Sequence, residues 1–112
     1  MEVVETPGGG GVVIIEARGR VDSNSAKAFE EKLLGAIAPS EPRIVVDCSQ
    51  LDYVSSAGLR VLLMAAKRAK TNRGKLALCG LKPHVRDVFD VSGFTGIFSI
   101  HSTRESALTA VS

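Results

Sequence analysis

The sequence has no run of apolar residues near the roughly 18 needed to cross a bilayer, and no basic stretch leading into an apolar segment at its start. A membrane span and an export signal are therefore not expected, and the reading is of a soluble, cytoplasmic protein. Cysteine is scarce: Cys48 and Cys79 each close an apolar run and lack the close spacing of a secreted disulfide framework, so both are expected as reduced core residues. With His84 and His101 they form no CxxC or HxxxH pair, so no metal site is expected. Charge of one sign is not in excess either. Fourteen basic against twelve acidic residues leave a net charge of +2, too little to mark the whole chain as a nucleic-acid binder. There is no internal repeat and no low-complexity tail.

What is present is the composition of a globular protein, 45% hydrophobic and 23% charged. A length of 112 residues fits one domain, residues 1–112, with one core. Glu2–Glu5 reads as a short strand broken by Pro7 and the glycines of 8–11, where a hairpin turns into the β-branched run Val12–Ala17. Gly19-Arg20-Val21-Asp22 leads into a Ser-Asn-Ser cluster, and a helix begins near Ser25, burying Ala26, Phe29, Leu33 and Ile37 until Pro39 and Pro42 end it. Arg43–Cys48 is apolar enough to be a central strand. After a polar link, a helix from Leu59 to about Asn72 places Leu59, Leu62, Leu63 and Ala66 on one face and is capped by Gly74. Lys75–Cys79 is a further strand. Pro83 opens a helix over Val85, Val88 and Phe89 that Ser92-Gly93 stops, Phe98–His101 is a last strand, and Ser102 to Glu105 has the spacing of a capping box. Strands alternating with helices predict an α/β fold: a mixed, mostly parallel sheet with an N-terminal antiparallel hairpin and about four helices.

Enzymatic signatures are missing where they would be sought. The glycine run has no Lys-Ser or Lys-Thr after it and opens no helix, no Gly-x-Ser-x-Gly is present, and Asp47 alone meets only part of a receiver-domain pattern. A small nucleotide-binding or hydrolytic enzyme is the reading these absences count against. The informative position is Ser55-Ser56, where the loop after the central strand enters the long helix and backbone N–H groups converge. By spacing alone, a serine there most simply caps the helix. Projecting the long helix puts Arg60, Val61, Met64, Lys67 and Arg68 opposite its core face, a mixed apolar and basic surface that fits either docking onto an acidic, partly apolar partner or a partly covered solvated face.

Val45-Val46-Asp47-Cys48-Ser49 followed by Tyr53-Val54-Ser55-Ser56-Ala57-Gly58-Leu59-Arg60-Val61-Leu62-Leu63 resembles the core motif of STAS anti-sigma factor antagonists. Gly19-Arg20-Val21-Asp22 resembles the family's Gly-x-Leu/Val-Asp element, and Val88 with Ser92-Gly93-Phe94 and Ile97-Phe98 resembles its C-terminal half. The resemblance implies a binding switch and not an enzyme: the unmodified protein binds an anti-sigma factor that is a serine kinase, and phosphorylation ends the complex. It places the acceptor at Ser56, with Ser55, standing where the family often has Asp, as the competing position. Asp22 is implied as a loop carboxylate beside the switch, its simpler role being to cap the first helix. The implied partner surface is Asp22, Ser55, Ser56, Ala57, Gly58, Arg60, Val61, Met64 and Lys67. A PP2C-type serine phosphatase is the implied second partner, and no cofactor is expected on this chain. The same resemblance leaves open an accessory subunit of a membrane transporter or of a stress-sensing complex.

Overall fold

The computed structural model describes residues 1–38 and 40–112. Among them the elements run β1 (Glu2–Gly9), β2 (Val12–Val21), α1 (Ala26–Ile37), β3 (Arg43–Val54), α2 (Ser56–Thr71), β4 (Lys75–Cys79), α3 (Pro83–Val91), β5 (Ser99–His101) and α4 (Arg104–Val111). The strands form one sheet in the order β1-β2-β3-β4-β5, with β1 and β2 antiparallel and the other three pairings parallel. The α/β class and the mixed sheet are those expected from the alternation of elements.

Side chains alternate across the sheet and so divide the core in two. Ile15, Ala17, Ile44, Val46 and Leu78 face α1, α2 and α3, meeting Phe29, Leu33, Leu62 and Phe89, all but fully buried. Val12, Ile14, Val45, Ala77 and Cys79 face the other way, onto Ala107 and Val111 of α4. Cys48 and Cys79 thus lie on opposite faces and are free thiols. Burial pushes the Cys79 thiol up to about 11 and the Cys48 thiol further, so both stay protonated at neutral pH.

Several boundaries differ from the sequence reading. β1 continues through Pro7 to Gly9, because it is an edge strand with only β2 beside it, and the pairing slips between Pro7 and Gly9. The expected polar link after Cys48 is strand: β3 runs on to Val54. Glu16 pairs with Asp47 but Arg18 with Gln50, and Gly19 pairs with Leu51 but Arg20 with Tyr53, so β3 carries two extra residues as bulges. Those bulges turn Cys48, Leu51 and Val54, three residues apart, all into the core and erase the two-residue alternation. α1 ends at Ile37; the expected stop at Pro39 lies outside the described residues. At the end of α2 the left-handed residue is Arg73, with φ of 63°, not Gly74. The Arg73 amide donates to Lys70 O and the Gly74 amide to Ala69 O, a Schellman closure. Gly74 is required for close approach instead, since a Cβ there would stand 2.1 Å from Pro42 O. The cap of α4 is Thr103, whose hydroxyl accepts the Ser106 amide, one residue later than the predicted box.

Candidate functional site

β2 and β3 are parallel and end side by side, Val21 opposite Val54, so the two loops that follow leave the same edge of the sheet. The Ser55 amide donates to Val21 O at 2.8 Å and ties them together. Ser55 stays extended, and its Oγ accepts the Gly58 amide at 3.2 Å, satisfying one of the unpaired N–H groups of the first turn. Gly58 has no room for a side chain, since a Cβ would sit 2.7 Å from methyls of both Val21 and Val54. The start of α2 is therefore clamped onto the strand ends.

Ser56, the first residue of α2, differs from its neighbour in both respects. It is exposed where Ser55 is half-buried, and its hydroxyl enters none of the side-chain hydrogen bonds among the described residues. Asp22 lies in the adjacent loop, half-buried, with Oδ1 accepting the Asn24 and Ser25 amides at 3.0 and 3.2 Å. The Asn24 amide first, then the Ser25 amide and hydroxyl and Arg20, hold this carboxyl below the usual carboxylate range against partial desolvation. Asp22 thus shapes the turn into α1, while Ser25, at the cap position, makes no side-chain cap bond to the helix.

A groove of about 370 Å³ runs from these loops between α1 and α2, with Ser23, Lys27 and Glu30 on one wall and Ala57, Arg60 and Met64 on the other. Arg60 and Met64 continue into a second hollow with Leu63, Lys67 and Arg68. Two expected surface residues are corrected here. Val61 is 7% exposed, because α1 packs against the flank of α2 on which it lies. Gly58 is buried under the same turn. The buried face of α2 is Gly58, Leu59, Val61, Leu62, Ala65 and Ala69, rotated from the predicted stripe, and Leu63 and Ala66 are only half-buried. Ala57 and Met64 are half-buried, and Arg60 and Lys67 are exposed.

The structure adds neighbours that sequence reasoning missed. Arg20 lies over the Tyr53 ring, 4.3 Å from its centroid, each being the second-last residue of its strand. Lys82 pairs with Asp52, and His84 Nε2 lies 2.7 Å from Asp52 O. The Arg20–Tyr53 pairing depends on the bulged register of β3, which leaves no mark in the sequence. Among the described residues no three His, Cys, Asp or Glu side chains gather as metal ligands, and no helix is long and apolar enough to cross a membrane.

The mixed sheet thus presents, at the start of a clamped helix, a serine whose hydroxyl has no side-chain hydrogen bond among the described residues, beside a groove of apolar and charged side chains. Residues 3–107 match the STAS domain, and the chain belongs to that family. It is 46% identical over 100 residues to BtrV of Bordetella bronchiseptica, a protein named as an anti-sigma factor antagonist, covering 89% of this chain and 86% of BtrV. An anti-sigma factor antagonist from Mycobacterium paratuberculosis superposes with a TM-score of 0.87 at 25% identity, over 98% of this chain and 92% of that one. The Bacillus cell fate determinant SpoIIAA, solved in its phosphorylated form, shares the fold at a TM-score of 0.72 and 22% identity, over 97% of this chain and 98% of that one.

Proposed function

We propose that this STAS domain is an anti-sigma factor antagonist that binds a serine-kinase anti-sigma factor in the cytoplasm while Ser56 is unmodified, and is switched off by phosphorylation of Ser56. The observation that carries the reading is the difference between two adjacent hydroxyls: Ser55 Oγ is engaged as the helix cap, whereas Ser56 is exposed with its Oγ unengaged among the described residues. The relatives named as anti-sigma factor antagonists and the phosphorylated form of a protein of this fold support it.

In the proposed transfer, Ser56 Oγ attacks the γ-phosphorus of ATP held by the kinase, the bond to ADP breaks, and the hydroxyl proton passes to a base of the kinase. ATP and its magnesium belong to that partner. This chain supplies only the acceptor and a docking face of Asp22, Ala57, Arg60, Met64 and Lys67, with Val61 and Gly58 shaping it from beneath. The phosphate adds a charge of about −1.5 to −2 in the middle of that face. A loss of about 3–4 kcal/mol there weakens binding by two to three decades. Hydrolysis of the phosphoserine by a PP2C-type phosphatase, whose metals are its own, restores the binding form.

Phosphosite mapping by intact and peptide mass, after incubation with ATP and the serine-kinase anti-sigma factor of the same organism, tests the assignment. One phosphate, lost in Ser56→Ala and kept in Ser55→Ala, is the expected result. Loss in Ser55→Ala alone would move the acceptor by one residue, and no phosphate on any form would overturn the switch.

A further inference from the structure

We propose that a phosphate on Ser56 is held by Arg60, one turn further along α2, so that modification also withdraws a docking cation from the partner face. The inference rests on Ser56 being the acceptor. Ser56 and Arg60 stand at i and i+4 on one helix, both exposed, a spacing that puts their Cβ atoms about 5–6 Å apart.

Arg60 is available for the pairing. It enters none of the ion pairs among the described residues. No acid on its own helix competes for it: between Asp52 and Asp87 the sequence has eight basic residues and no acidic one. Lys27, on the opposite wall of the groove, is less suited. It has Glu30 and Glu31 three and four residues further along α1, and its ammonium lacks the planar fork that takes two phosphate oxygens at once. Glu30 lines the groove with Arg60 but forms no ion pair with it, so an arriving phosphate displaces no existing contact.

The consequence is a switch with two effects from one bond. Unmodified, Arg60 reaches outward beside Met64 and Lys67 for an acidic partner. Modified, its guanidinium turns back onto the phosphate, and the partner meets a face that has gained an anion and lost a cation.

The test uses the whole chain with phosphoserine genetically encoded in place of Ser56, so that it does not depend on any kinase, and follows the second ionisation of the phosphate by ³¹P NMR. Arg60→Gln should raise that pKa by about 0.3 unit, the size of an exposed i,i+4 pair, and Arg60→Lys should recover part of the shift. Arg68→Gln makes the same change of charge about 18 Å from Ser56 along the helix, beyond the screening length, and should move it by less than about 0.1 unit. Equal titrations for Arg60→Gln and the parent, or an equal effect from Arg68→Gln, would overturn the pairing. Failure of the kinase to modify Ser56 is a separate result that strikes the proposed function and leaves this titration standing.

Discussion

Ser55 and Ser56 are chemically identical and one peptide bond apart in the chain, yet the structure gives them different surroundings. Replacing the capping hydroxyl leaves the Gly58 amide without its partner, so Ser55→Ala is expected to cost about 1 kcal/mol in urea unfolding, while Ser56→Ala leaves the midpoint unchanged. A second residue-level dependence lies on the opposite face of the sheet. Asp47, 5% exposed, accepts from Arg104 Nε and Nη2 at 3.0 and 2.6 Å and from the Ser49 amide at 2.9 Å. Burial pushes this carboxyl up, but the Ser49 amide and Arg104 together outweigh it and hold it below the usual range. Its contribution to stability is therefore present above the unfolded value of about 3.9 and is lost as pH falls through the lower folded value. Asp47→Asn should flatten that part of an acid-unfolding curve. Arg104→Met, which leaves the carboxylate buried without its cation, should cost about 1–2 kcal/mol at pH 7, kept at that level because the guanidinium is 40% open to water.

α2 owes its position to a glycine that no helix would choose on propensity. Gly58→Ala drives a methyl into Val21 and Val54 and is expected to cost about 1–3 kcal/mol. Gly35, exposed within α1 with nothing within 4 Å of a built Cβ, should behave in the opposite sense, and Gly35→Ala should raise the urea midpoint by the equivalent of about 0.5–1 kcal/mol. The order of elements was legible from apolar runs, prolines and serine clusters, because each marks a local backbone preference. The length of β3 was not, since its two bulges depend on β2 as partner. Nor was the inward face of α2: a helical wheel finds one apolar stripe, but α2 packs on both the sheet and α1, and the second contact buries Val61. The serine pair stood out through its motif. That one hydroxyl is spent on the cap and the other is not follows only from the extended backbone of Ser55, which the residue types do not encode.

A net charge of +2 conceals a division of charge along the chain. The stretch between Asp52 and Asp87, which contains α2, is purely basic in its charges, so the remainder is net acidic. Arg60, Lys67 and Arg68 of that stretch are exposed and line one hollow on α2, so the association rate with an acidic anti-sigma factor is expected to fall as salt is raised while the dissociation rate changes less. Stopped-flow mixing at several ionic strengths checks this, and an association rate independent of salt would mean that Arg60, Lys67 and Arg68 lie outside the interface. The central claim is that Ser56 decides whether this surface binds. Its most direct test is the dissociation constant for the serine-kinase anti-sigma factor of the same organism, measured by titration calorimetry with Ser56 unmodified and with Ser56 phosphorylated. The account predicts a weakening of about a hundredfold or more on phosphorylation, and equal affinity of the two forms would contradict it.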